Sequence, residues 1–201
     1  MGLIMSENTS FYDENELNEI NKLSTILLTT AEQAEWQSML QKAINHPDEL
    51  LEDDKYSNYS ALEDIFDEDQ EEEDKLRLLF DIFCYANNVV IDIDWRGEED
   101  DDQLSSFLAQ RLNKMSPSFE THEVHARMNK YIETSELDNQ QFDSSTDYFA
   151  NKFSLLQKVM AEYNYKMGVL PVDYDSFPIF ITSLEHAPLF EESSLIDFIP
   201  N

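Results

Sequence analysis

Positive charge is scarce in this chain: thirteen lysines and arginines stand against forty-three aspartates and glutamates, a formal charge of −30. A surface so biased repels nucleic acid, anionic membranes and acidic substrates, and it attracts cationic partners. Solubility or halophily would use the same composition, because net charge governs association and not fold. Cysteine is scarcer still. A single one, Cys84, excludes an intramolecular disulfide; it lies within an apolar helical pattern and reads as a buried structural thiol of a cytosolic protein. There is no signal peptide and no apolar run of about 18 residues, so neither export nor a membrane span is expected and the chain is read as cytoplasmic. Internal repeats, linkers and strong catalytic motifs are also lacking.

What is present suffices for a core. The 201 residues are 41% hydrophobic and 12% aromatic, which fits one acidic α+β domain, residues 1–201, and not a disordered acidic tail. Residues 1–12 are expected to be flexible. They open with Met1, Gly2 and Ser6 in the myristoylation pattern M-G-x-x-x-S, although Met5 before Ser6 and Glu7 reads equally well as a start.

The first half reads as helical. Asp13 with Glu16 forms a capping-box pair ahead of Leu17, Ile20, Leu23, Ile26 and Leu27. Thr30 with Gln33 repeats the signal before Trp36, Met39, Leu40, Ala43 and Ile44, and Pro47 ends that helix. Segment 43–74 then carries fourteen acids and one base, anchored by Leu50, Leu51, Leu62, Ile65, Phe66 and tyrosines, and forms the acidic face. Acids of 67–74 also complement the dipole of the next helix, whose stripe is Leu76, Leu79, Phe80 and Phe83.

A strand follows. Over 88–95 the alternation sets Val89, Ile91, Ile93 and Trp95 on one face and Val90, Asp92 and Asp94 on the other. Further helices carry Leu104, Phe107, Leu108 and Leu112, then Val124, Met128, Tyr131 and Ile132, then Phe149, Phe153, Leu156 and Met160 behind a Thr146 cap, with Asn164 at the end. Residues 165–182 read as a β-hairpin in which Pro171 and Pro178 suit edge positions. Asp175 occupies its turn and fixes the register that sends Val169, Val172, Phe177, Ile179 and Ile181 to their faces. Segment 183–201, without Lys or Arg, is expected to wrap the sheet. The fold class is therefore α+β: a mainly helical first half packed on a small antiparallel sheet, with strands near 88–95, 165–172 and 177–182.

Each chemical motif falls short of a complete site. His122 and His125 stand at i and i+3, whereas H-E-x-x-H needs i and i+4, and His46 and His186 are unplaced. Asp92, Asp94 and Gly97 imitate half of a calcium loop, but Arg96 and Gln103 occupy essential ligand positions. The D-x-D pairs Asp92/Asp94 and Asp173/Asp175 suit an aspartate-nucleophile phosphotransferase, a glycosidase or a metal-dependent hydrolase. The phosphotransferase lacks its usual threonine, and so many acids make carboxylate pairs inevitable by chance. No catalytic residue, metal or cofactor is expected.

Residues 26–182, with the HPDELLED segment, the Ile91–Trp95 strand and a late hairpin that runs through Asp175, Ser176, Phe177 and Pro178, resemble a family of uncharacterised bacterial domains. There an apolar strand, Asp-Ser-aromatic and a second apolar strand form the late signature. The resemblance implies an α+β fold and a bacterial origin, and it is at class level similar to immunity proteins that protect a cell from a toxin. The expected function is an acidic immunity protein that occludes a basic, nuclease-like toxin domain. Its partner surface is expected at Tyr56, Tyr59, Phe66 and Trp95 as aromatic anchors, with Asp67, Glu68, Asp69, Glu71, Glu72, Glu98, Glu99, Asp100 and Asp101 around them. A nucleic-acid mimic that inhibits a DNA-binding protein, with the runs 67–74 and 98–102 as surrogate phosphates, is the second reading. Neither nucleic acid nor membrane is expected as a partner.

Overall fold

The computed structural model describes residues 14–66, 75–94, 100, 102–137, 141–142, 145–170, 176–189 and 197–198. Residues 1–12, expected to be flexible, lie outside these. Contacts divide the chain into two compact units, Met1–Val89 and Val90–Asn201, and each is taken by itself.

The first unit is helical: α1 (Glu14–Leu27), α2 (Thr30–Asn45), α3 (Pro47–Leu51), α4 (Ala61–Ile65) and α5 (Lys75–Ala86). The apolar stripes predict the buried residues of α1, α2 and α5 well, since Ile20, Leu23, Ile26, Leu27, Trp36, Met39, Leu40, Leu76, Leu79, Phe80 and Phe83 are all buried. Trp36 is 0% exposed and meets Phe80 and Phe83 edge-on, with ring centroids 5.0 and 5.6 Å away; such pairs add to area burial. Caps differ from expectation. Asp13 lies outside the described residues, and Glu16 Oε1 accepts the Arg77 amide at 3.2 Å, satisfying a first-turn donor of α5. The box that opens α2 is Thr29 with Glu32, one residue before the expected Thr30 and Gln33. Glu32 Oε2 accepts the Thr29 amide at 2.8 Å, where a carboxylate outcompetes an amide as acceptor, and Gln33 Nε2 instead donates to the Leu28 carbonyl at 3.1 Å. Pro47 follows the end of α2 and opens α3 at its first position, where its missing N–H is harmless.

The second unit contains β1 (Ile91–Asp94), α6 (Gln103–Met115), α7 (Thr121–Ser135), α8 (Ser145–Glu162), β2 (Tyr165–Val169), β3 (Ser176–Ser183), a 3₁₀ turn (Ala187–Leu189) and β4 (Asp197–Phe198). Its sheet is antiparallel, in the order β1-β3-β2-β4, so the α+β class holds. The described core on this sheet comes from the second half of the chain, because Ile93, Met167, Ile179 and Ile181 join α6, α7 and α8 through Leu104, Leu108, Leu112, Met128, Leu156 and Met160. Segment 183–201 adds a strand to the sheet through β4. Thr146 sits inside the first turn of α8 and does not precede it. Asn164, with φ 64°, makes the left-handed exit from α8 that asparagine tolerates.

Pro178 contradicts the edge assignment. It lies in β3, between β1 and β2, opposite Asp92. The ladder tolerates it because the Leu170 amide donates to the Pro178 carbonyl at 3.0 Å, just past the last residue of β2. In an antiparallel ladder the amide and carbonyl of one residue face the same neighbour, so the missing N–H falls at the end of β2 and not in the middle of a ladder. Pro171, Val172 and the turn residue Asp175 lie outside the described residues.

Two predictions follow from packing. A Cβ on Gly168 would stand 2.3 Å from the Phe180 ring, which is 0% exposed, so Gly168→Ala is expected to lose roughly 1–3 kcal/mol through overpacking. A urea midpoint equal to that of the wild type would refute this. Lys152 in α8 is 3% exposed, and burial pulls its ammonium down to about 8. The unfolded chain then binds more protons than the folded one above that value, so stability is expected to rise from about pH 8 toward pH 10. Above that window Tyr59 and Tyr165, held up by burial, work in the opposite direction. Lys152→Met should flatten the rise in urea midpoints measured across this range; an unchanged slope would assign it to other groups.

Candidate partner-binding surface

The acidic segment of the first unit is built on a few inward anchors. Leu50, Tyr56, Leu62 and Ile65 are buried, and they leave the acids of α3, the following turn and α4 facing water. Asp48, Glu49, Glu52, Asp54, Glu63 and Asp64 are exposed and make no ion pair among the described residues. Asp48, Glu49, Glu63 and Asp64 lie in helix first turns, where the dipole favours negative charge.

The nearby cations are committed to partners within this unit. Lys42 Nζ reaches Asp53 Oδ2 at 3.2 Å. Lys55 Nζ pairs with the Glu35 carboxylate, donates to Asn87 Oδ1 at 2.7 Å and lies 5.5 Å from the centroid of the Tyr56 ring. Burial pushes the Asp53 carboxyl up, but the Lys55 amide, the Lys42 hydrogen bond and both ammonium charges together hold it below its ordinary value. The excess negative charge is therefore left on the outer residues.

The aromatic anchors separate. Tyr56 is 4% exposed, with its hydroxyl 3.4 Å from Glu35 Oε1; desolvation first, and then the Glu35 charge, raise its phenol. It is a core residue, which corrects its expected place among the anchors. Tyr59 and Phe66 are half-buried and keep part of each ring at the surface. Asp67, Glu68, Asp69, Glu71, Glu72, Trp95, Glu98, Glu99 and Asp101 lie outside the described residues, while Asp100 is exposed.

The second unit gathers a small polar cluster that spacing alone does not reveal. His125 Nε2 lies 3.3 Å from Asp102 Oδ2 and 3.3 Å from Ser106 Oγ, and Ser106 Oγ donates to Asp102 Oδ2 at 3.3 Å. Nucleophilic catalysis needs serine and carboxylate on opposite ring nitrogens. Here both approach the same one, so the cluster ties α7 to the start of α6 and does not activate a hydroxyl. Beside it opens a hollow of about 400 Å³ lined by Gln110, Asn113, Glu120, Thr121 and His122. Among the described residues no three His, Cys, Asp or Glu side chains gather to hold a metal. Asp92 and Asp94 are exposed on β1; Asp173 and Asp175 lie outside the described residues. Cys84 is buried.

The model of one protein family, described as a domain of unknown function (DUF6630), matches residues 19–194, and the chain belongs to that family. No curated protein and no solved structure matches it. Among the described residues no helix is long and apolar enough to cross a membrane.

Asp53 gives a pH test of the cation commitment. Its folded carboxyl lies below the ordinary value of 3.8, so its contribution is present at neutral pH and is lost as pH falls through that range. Asp53→Asn is expected to lose about 0.5–1 kcal/mol at pH 7, the scale of a partly exposed pair, and to converge on the wild type as acid protonates the lowered carboxyl. A constant difference across pH would place the effect elsewhere.

Proposed function

We propose that this member of the DUF6630 family is a cytoplasmic binding protein that occludes a cationic partner, and that the partner is a nuclease-like toxin domain to which the chain acts as immunity protein. The observation that supports it is the set of six exposed acids between Asp48 and Asp64, without an ion pair among the described residues, in the same segment as the half-buried Tyr59 and Phe66. A toxin that grips nucleic acid presents Lys and Arg, so an acidic partner gains steering toward on-rates of about 10⁸ M⁻¹s⁻¹ and covers the substrate site. Aromatic rings inside an acidic rim supply the desolvated contacts that slow dissociation.

Charge and anchors act on different rate constants. Neutralising Asp48, Glu49, Glu63 and Asp64 together to Asn or Gln is expected to slow association about tenfold at low salt and to flatten its salt dependence. Tyr59→Ala or Phe66→Ala is expected to speed dissociation by about 30-fold, equivalent to about 2 kcal/mol. Surface plasmon resonance against nuclease-like toxin domains, beginning with any encoded beside this chain in its host, together with growth rescue in cells expressing such a toxin, checks both. Absence of rescue and of binding sinks the reading. Association that depends steeply on salt, with dissociation indifferent to both rings, favours the nucleic-acid mimic instead.

A further inference from the structure

We propose that the outer edge of β1 accepts one extended cationic segment of the partner by strand addition, centred on Asp92. This rests on the basic-partner reading and adds a mode of recognition in which main-chain bonds contribute affinity and alternate side chains contribute specificity. Among the described residues β1 is the outermost strand of its sheet, and the register shows how its amides point. Asp92 stands opposite Pro178, which has no N–H and whose carbonyl receives the Leu170 amide at 3.0 Å, on the side of β2. Because antiparallel pairs alternate between bonded and non-bonded, the Asp92–Pro178 pair exchanges no hydrogen bond, and the Asp92 amide and carbonyl face away from β3.

The chemistry of the edge selects its occupant. Sheets blunt an edge by keeping it short, by charged side chains, by proline or by a bulge; β1 is four residues long and reads Ile-Asp-Ile-Asp, so its two carboxylates deter like-charged or apolar strands and leave a cationic strand as the favoured one. Asp92 is exposed, and Ser176 Oγ of β3 donates to its Oδ1 at 3.0 Å, which fixes the carboxylate on the exposed face of the sheet. A second copy of this chain would set aspartate against aspartate across the new ladder, which is unfavourable. A strand with Lys or Arg on that face meets opposite charge, and its alternate residues fall on the face where Ile93 is buried in the core. The fitting segment therefore alternates cationic and apolar residues.

The test uses the full chain and a labelled synthetic peptide of about eight residues alternating lysine and valine. Asp92→Pro removes the outward N–H while a proline there leaves the β1–β3 ladder intact, so melting should change little and affinity, read by fluorescence anisotropy, should fall at least about tenfold. Asp92→Asn keeps the N–H and loses one charge, and should weaken binding less. A peptide N-methylated at alternate amides keeps every charge and should lose binding to the wild-type chain; this arm stands even if Asp92→Pro fails to fold. Protection of the Asp92 amide from hydrogen exchange on peptide binding would confirm the site. If Asp92→Pro and the N-methylated peptide both bind as tightly as their parents, strand addition is wrong while charge-driven binding stands. If no peptide binds even at low salt, strand addition is wrong as well, and toxin rescue then decides the immunity reading separately.

Discussion

The constraint on which this structure depends is the placement of thirteen cations among forty-three acids. A net charge of −30 opposes compaction through self-repulsion, so where each cation goes decides how much of that repulsion is relieved inside the fold. Several of the described cations are used for cohesion. Lys42 and Lys55 tie α2 to the turn after α3, Arg77 holds Asp81 one turn along α5 at 3.0 Å, and Arg127 joins α7 to α8 through Glu162 at 3.0 Å. Arg111 and Lys152 are buried at 2% and 3% exposure. With these six cations committed to helix junctions and cores, fewer remain to offset the acids of the outer surface. The aromatic cores around Trp36 and Phe153 then provide apolar burial that offsets the remaining repulsion.

This division explains what the sequence could and could not reveal. Helical stripes in α1, α2, α5, α6, α7 and α8 were legible because a period of 3.6 residues is written in the order of residues. The strands β2 and β3 were legible as antiparallel partners, but not their faces, because residues 178–182 are all buried and show no period of two. Caps were legible only to within a residue: Thr29 and Thr30 are equally good caps on paper, and the competition between Glu32 and Gln33 as acceptor decides between them. The short helices α3 and α4 carry too few turns for a periodic signal, and they arise where Pro47 and the acids of 48–64 favour single helical turns.

Tyr56 and Pro178 failed for a different reason, which is that tertiary geometry settles both. Tyr56 and Tyr59 share composition and neighbourhood. Only the positions of Glu35 and Lys55 place one ring in the core and leave the other at the surface. Pro178 reads as an edge residue by its missing donor, yet which side of a strand a donor faces depends on register, and register places this gap beyond the end of β2. The Ser106, Asp102 and His125 cluster is invisible in sequence because it joins separate helices.

An acidic coat that only keeps a protein soluble differs from an interface in its apolar content. Solvating acids need no ring beside them, and exposed rings there would favour association between copies. In the segment 47–66 the large side chains Leu50, Tyr56, Leu62 and Ile65 are withdrawn completely, so the local chain is able to hide its hydrophobic groups. Tyr59 and Phe66 stay half-buried in that same segment. Charge repulsion between copies suppresses self-association at this patch while leaving it attractive to a cationic surface, so the rings can remain accessible without making the protein aggregate. Retention of two half-buried rings within an acidic stretch is therefore harder to reconcile with a coat than with a surface selective for positively charged partners.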